Sequence, residues 1–342
     1  MNVEKSIVEL IDGAAKPPGS LGLFETYLKK IMLGWGKIHE ELKPYHVIFA
    51  ADNGVVEEGV VAFPPEITYL QAKSMVEGRA TISCFCQYNH IPYSVVDLGI
   101  NNEKVVGLDC RVARGTKNFL KSEAMTDEEF QAAWQTGSRI VGDLARQGYN
   151  LLSFGEMGIG NTTTSSAVLH GLTGMLPEFV VGYGACPNNQ EVLKRKRLVV
   201  AKGVEYHKEK FKNVEDIMRC VGGFDIVAIC AAMLECAKLC IPFVIDGFIT
   251  AVAYACAARM ESSIQQYAIP SHLSKEQGME YSLLQGNILA DSVPIRANMA
   301  LGEGTGAVLM VVMLKTVMFT LQNMARLSDF DLSTVKPAHA AM

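Results

Sequence analysis

Unbroken apolar runs alternate along the chain with stretches in which apolar residues recur every three or four positions. Residues 46–51 (HVIFAA), 93–98 (YSVVDL), 151–154 (LLSF) and 241–245 (IPFVI) predict strands. Their continuity, in place of strict alternation, predicts strands covered on both faces. Residues 67–77, 127–147 and 190–210 carry the helical period between them. Strand and helix in alternation predict an α/β fold, a parallel sheet with helices on both sides. In such sheets ligands bind at the carboxyl ends of the strands. Both chain ends also read as helical, over residues 3–11 and 307–324. They predict a small helical subdomain beside the sheet, since no internal repeat or low-complexity linker divides the chain.

Of the 342 residues, 49% are hydrophobic and 20% charged, which excludes intrinsic disorder. Lys and Arg total 31 against 36 Asp and Glu, a net charge of -5, so no nucleic-acid partner is expected. The longest apolar runs, residues 226–234 and 307–314, end at Glu235 and Lys315. Both fall short of the roughly 20 residues that span a bilayer, and no membrane association is expected. The start of the chain has no basic segment followed by an apolar one, so no secretory signal is expected. Nine cysteines sit mostly inside apolar runs without a C-x-x-C pair. They read as reduced core residues of a cytoplasmic protein. Cys236 and Cys240 stand at helical spacing without a nearby histidine pair, so no metal site is expected.

The unusual chemistry lies in the loops. Residues 155–163 (GEMGIGNTT) hold three glycines followed by residues able to cap a helix. A helix N-terminus behind a glycine turn suits a phosphate monoester, and an ordinary capped turn has the same composition. Neither a P-loop nor a G-x-G-x-x-G fingerprint is present there. Glu303 lies between Gly302 and Gly304 before an apolar helix. Sheltered by Leu301 it would suit general-base work; otherwise it is a loop carboxylate near a helix dipole. Residues 194–197 (KRKR) offer a cation to a phosphate, or else form a solvated helix face. Asp52 and Asp246 each end a strand, where site carboxylates and turn-capping aspartates both occur. Ser271 and His272 follow a proline turn and read as a site pair or as structural hydrogen-bonders.

In combination these segments resemble the nicotinate-nucleotide–dimethylbenzimidazole phosphoribosyltransferases of cobamide biosynthesis, the CobT family. Eight motifs carry the resemblance in order: KPPGSLG at 16–22, ADNGV at 51–55, RVARG at 111–115, 155–163, VGGFD at 221–225, DGF at 246–248, IPSH at 269–272 and LGEGTGA at 301–307. The resemblance implies a Rossmann-like α/β phosphoribosyltransferase domain over residues 26–306. It leaves residues 1–25 and 307–342 as the small helical subdomain. It implies transfer of the 5-phosphoribosyl group of nicotinate mononucleotide to a cobamide lower-ligand base, benzimidazole or phenolic, with release of nicotinate. Glu303 then matches the catalytic base. Glu156, Gly158, Ile159, Gly160, Asn161, Thr162, Lys196, Ser271 and Gly302 match the phosphate and donor site. Phe63, Gln71, Met157 and Leu301 are implied for the acceptor pocket. No cofactor is implied, and the donor has no diphosphate leaving group for a metal to assist. A homodimer, or a heterodimer with a homologous chain, is implied as the assembly.

Two positions depart from the family pattern. Asn53 stands where members usually carry His, and Ala300 where they usually carry Arg before Leu-Gly-Glu-Gly. Arg296 is the nearest arginine to the second position. The departures leave open an alternative, a weakly active partner subunit of a heterodimeric phenol-activating enzyme.

Overall fold

The computed structural model describes residues 3–39, 41–186 and 188–330. Six parallel strands form one sheet: β1 (Pro44–Ala51), β2 (Tyr93–Gly99), β3 (Leu108–Asp109), β4 (Leu151–Met157), β5 (Phe243–Ile245) and β6 (Ala268–Pro270). Their spatial order is β3-β2-β1-β4-β5-β6. The chain therefore winds one way from β1 and then the other from β4, which leaves a crevice at the carboxyl ends of these two neighbours.

Helices cover both faces. On one lie α1 (Val3–Asp12), α2 (Leu23–Trp35), α3 (Ile67–Val76) and α4 (Thr81–Tyr88), joined at the far end of the chain by a long helix, Thr305–Asn323. On the other lie α5 (Asp127–Arg146), α6 (Asn161–Thr173), α7 (Pro177–Val180), α8 (Gln190–His207), α9 (Val214–Val221), α10 (Phe224–Lys238), α11 (Phe248–Met260) and α12 (Met279–Leu284). The long terminal helix is α13. Within β1, Val47, Phe49 and Ala51 join one core, while Ile48 and Ala50 join the other. This period of two, with both sides covered, is why the strand reads as an unbroken apolar run.

The terminal helices share their core with sheet residues: Ile7, Leu28, Val308 and Val311 pack in one cluster with Ile48, Val244 and Ile269. Residues 331–342, which the helical subdomain was expected to include, lie outside the described residues. α13 is longer and more apolar than the run ending at Lys315 suggests. Among the described residues it is the one helix long and apolar enough to cross a membrane, and half of it is buried inside the molecule. Its inner face packs on α2, α4 and β4, which makes it a core helix.

Three expectations need correction. β4 runs on through Met157, so Gly155 and Glu156 belong to a central strand and the loop starts at Gly158. β5 begins at Phe243, because Ile241 N–H still bonds to Cys236 O and closes α10. β3 and β6 have two and three residues and leave no run to detect.

Candidate active site

A cavity of about 370 Å³ opens at the crevice between β1 and β4. It gathers Glu156, Met157, Gly158, Ile159, Gly160, Asn161 and Thr162 from the end of β4 and the start of α6, with Asp246 from the end of β5. Phe63, Gln71, Lys196, Ala300, Leu301, Gly302 and Glu303 complete the wall with elements far apart in sequence. Phe63 and Leu301 are exposed at its mouth.

α6 begins behind Gly160, whose φ of 94° is in the left-handed region that glycine enters without strain. Ile159 N–H donates to Thr68 Oγ1 at 3.0 Å, and Asn161 N–H closes a turn on Gly158 O at 3.1 Å. Two of the loop's N–H groups are therefore already used. Asn53 holds the same loop, donating to Ile159 O at 3.3 Å and accepting from Thr164 Oγ1 at 3.5 Å. Its side chain supports the backbone from beneath and does not line the cavity.

Lys196 overturns the solvated-face reading of residues 194–197. It is 1% exposed, and its Nζ donates to Thr162 Oγ1 at 2.9 Å. Burial lowers its pKa, opposed by the neighbouring Glu276 carboxylate. Glu276 accepts from Gly184 N–H at 2.9 Å through Oε1, while its Oε2 is buried without a partner. Glu276 also lines the cavity. The sequence offers no signal for it, because it stands in a short polar stretch that only the fold brings over Lys196. Among the described lining residues Lys196 is the one Lys or Arg. Arg296 does not reach the cavity; its guanidinium donates to Ala290 O and Asp291 outside it.

Two carboxylates share one amide, that of Asn161 in the cavity wall. Asn161 Nδ2 donates to Glu156 Oε2 and, at 3.1 Å, to Asp225 Oδ2. Burial, reinforced by the Asp225 charge, pushes Glu156 up to about 8. Burial likewise pushes Asp225 up to about 6. Two buried acids bridged in this way hold a proton between them near neutral pH.

Glu303 is 4% exposed and faces the cavity. Gln71 Nε2 donates to its Oε1 at 2.9 Å, and Ile82 N–H donates to its Oε2 at 3.2 Å. Each carboxylate oxygen keeps a second lone pair for a substrate proton. Asp246, whose pKa burial raises, accepts from Ala307 N–H at 2.9 Å and caps the start of α13. Glu303 is thus a sheltered carboxylate, whereas Asp246 acts as a cap that also touches the cavity.

Two expected site residues lie elsewhere. Ser271 is fully buried, donates to Asp246 O at 3.0 Å and does not line the cavity. Asp52 accepts from Asn101 N–H at 2.8 Å and bonds to Thr68, the residue that holds Ile159 N–H. It supports the loop from behind. Sequence reasoning could not separate a strand-end aspartate in the cavity from one behind it, since both occupy the same position in the pattern.

An open parallel α/β sheet with a glycine-opened helix and a buried lysine at its switch point is an arrangement suited to an anionic ligand, and here a sheltered carboxylate stands in the same cavity. A family model described as phosphoribosyltransferase matches residues 1–331. The nicotinate-nucleotide–dimethylbenzimidazole phosphoribosyltransferase of Clostridium tetani (strain Massachusetts / E88) is 38% identical over 322 residues, 93% of this chain and 88% of that protein. The protein of the same name from Janthinobacterium sp. (strain Marseille) is 35% identical, over 94% of this chain and 93% of its own. The crystal structure of CobT from Thermus thermophilus superposes with a TM-score of 0.88 at 31% identity, covering 99% of this chain and 100% of that one. The chain belongs to this phosphoribosyltransferase family.

Proposed function

We propose that the chain transfers the 5-phosphoribosyl group of nicotinate mononucleotide to a benzimidazole, releasing nicotinate and forming an α-riboside 5′-phosphate. The observation that supports this best is a single cavity bounded by Lys196 and the start of α6 on one side and by Glu303 on another. On this reading the donor phosphate sits against α6 and Lys196, where a helix N-terminus and an ammonium both favour an anion. The leaving pyridinium nitrogen is already cationic. The C1′–N bond breaks with its electron pair moving onto that nitrogen, so no general acid is needed. The unprotonated ring nitrogen of the benzimidazole attacks C1′ from the opposite face, which inverts the β-nucleotide to the α-product. The other ring nitrogen gives its proton to Glu303. Phe63, Met157 and Leu301 supply apolar walls for the acceptor, and Gln71 holds the base by one oxygen.

Ser271 and Asp52 act on this reading as supports behind the donor site, Ser271 through Asp246 and Asp52 through Thr68. The relatives' names give no support to a phenolic acceptor or to the partner-subunit alternative. A dimer belongs to the same proposal, with exposed Phe319 and Met313 on α13 as apolar surface for it. So does residence in the cytoplasm, where its nine cysteines stay reduced.

The test incubates the purified chain alone with nicotinate mononucleotide and 5,6-dimethylbenzimidazole and follows nicotinate and riboside phosphate by chromatography. Equimolar appearance of both is expected. Neither product with dimethylbenzimidazole, or nicotinate only with p-cresol, would overturn the proposal.

A further inference from the structure

The carboxylate of Glu303 reaches the cavity only because its backbone is held in an unfavourable shape. Gly302, Glu303 and Gly304 have φ of 84°, 63° and 91°, three left-handed residues in a row. The middle one carries a side chain, which costs about 1–2 kcal/mol in that region. Directly beneath lies a polar pair on a mainly apolar sheet face. His46 on β1 and Ser153 on β4 are register partners, and both are fully buried. His46 Nδ1 stands 2.8 Å from Ser153 Oγ, and Nε2 stands 3.1 Å from Glu303 O.

A carbonyl oxygen can only accept, so Nε2 carries the ring proton and Nδ1 accepts from the Ser153 hydroxyl. Burial supports this neutral form by pushing His46 down to about 4. The seat is tight. A Cβ at Gly155 would stand 2.1 Å from Glu303 O, and one at Gly304 would stand 2.0 Å from His46 Cε1. With its carbonyl drawn down to the sheet, the residue sends its carboxylate the other way, towards Gln71 on α3 and Ile82 N–H in the first turn of α4.

We propose that His46, a neutral Nε2–H tautomer seated on Ser153, is a positioning residue that pins the Glu303 peptide and so delivers the carboxylate to the acceptor. His46 does not line the cavity and touches no substrate. The inference rests on the proposed role of Glu303 as general base, and it assigns to β1 and β4 a part in the chemistry that the cavity walls do not reveal.

Three variants test it: His46→Leu, which keeps bulk and removes the donor; His46→Gln, whose amide nitrogen can reach the same carbonyl; and Ser153→Ala, which removes the hydroxyl that seats the ring at Nδ1. Steady-state kinetics with nicotinate mononucleotide and dimethylbenzimidazole are combined with calorimetric binding of nicotinate mononucleotide. For His46→Leu, kcat is expected to fall about 10- to 100-fold, the scale of a misplaced catalytic group, with donor KM and Kd within about threefold. His46→Gln should recover kcat to within about fivefold of the native value. Ser153→Ala should lose about 3- to 10-fold in kcat alone and decides the matter if His46→Leu does not fold. A merely structural histidine predicts instead that KM, Kd and kcat deteriorate together and that His46→Gln rescues nothing; that result overturns the proposal, as does full kcat in His46→Leu or Ser153→Ala. Glu303→Gln serves as the separate control. If it retains activity, the base assignment fails; if it is inactive while His46→Leu is fully active, only the positioning role fails.

Discussion

Replacing Glu303 by Gln isolates proton acceptance from shape, and the surrounding donors set what it costs. The carboxylate accepts from Ile82 N–H and from Gln71 Nε2. The backbone donor cannot turn, so the oxygen of the introduced amide must face Ile82 and its NH₂ must face Gln71. Gln71 ends in an amide and can rotate to present its own oxygen. One rotation therefore restores both hydrogen bonds. What is lost is their charge assistance, worth about 1 kcal/mol of folding stability. Removal of a general base costs about 10²–10⁴ in rate, or roughly 3–5 kcal/mol of barrier. The two effects thus differ in size and in place. We expect kcat for dimethylbenzimidazole transfer to fall by about 10²–10⁴, donor KM to stay within about threefold, and the melting temperature to move by a few degrees. Nicotinate release under saturating donor and acceptor gives kcat, and a thermal scan of the same sample gives stability. A kcat within tenfold of the native value in a folded variant would refute the argument and leave Glu303 a loop carboxylate.

Lys196→Met should raise donor KM by about 10- to 100-fold with a smaller effect on kcat, because a buried charge-assisted contact to phosphate is worth about 1.5–3 kcal/mol; an unchanged KM would remove Lys196 from the donor site. Gly155→Ala places a Cβ 2.1 Å from Glu303 O and 2.5 Å from its carbonyl carbon, both backbone atoms that cannot swing aside; kcat should fall at least about tenfold in kinetics at saturating donor. Glu156 titrates near 8 in the folded chain against 4.5 for a free side chain, so it binds more protons folded than unfolded between those values. Its contribution is full below about pH 4.5 and is lost as pH rises through 8, and denaturant titrations of native protein and Glu156→Gln should therefore diverge across that window, the native protein losing more. Parallel curves would show that Glu156 is ionised throughout.

The long central strands were legible because burial on both faces left apolar runs that no surface element shows. Gly155 misled for a specific reason. A glycine followed by Glu156 reads as a turn, yet here it is a strand residue left bare so that the peptide of Glu303, distant in sequence, can lie on it. Lys196 left two readings open. Counted within its run of four basic residues it looks solvated; counted at helical spacing with Leu193, Val199 and Val200 it falls on the buried stripe of α8. That signal was present in the sequence and outweighed by composition. His46 and Ser153 were visible only as polar residues interrupting apolar strands. What they bond to is settled by β1 and β4 pairing in register and by the chain returning to the sheet ahead of α13, 257 residues after His46.

The charges around the cavity argue for the kind of transition state it serves. Glu156, Asp246, Glu276 and Glu303 line it, against the single Lys196. Such an excess of acid would repel a phosphate, so on the proposed reading the phosphate keeps to the place where α6 starts and Lys196 reaches Thr162. Elsewhere the field favours positive charge. On the proposed reaction, loss of a pyridinium from ribose moves positive charge from the ring nitrogen onto C1′, and carboxylates already fixed in the cavity walls would stabilise it without having to reorganise. Burial and the Asp225 charge hold Glu156 protonated at neutral pH. The donor is anionic as a whole, because its phosphate and nicotinate carboxylate outweigh the one pyridinium charge, so its arrival keeps Glu156 in the protonated form. Donor binding at pH 7 should therefore draw no proton from Glu156, and Glu156→Gln should leave the buffer dependence of the binding enthalpy unchanged. A buffer-dependent binding enthalpy that disappears in Glu156→Gln would show instead that Glu156 ionises as the donor arrives.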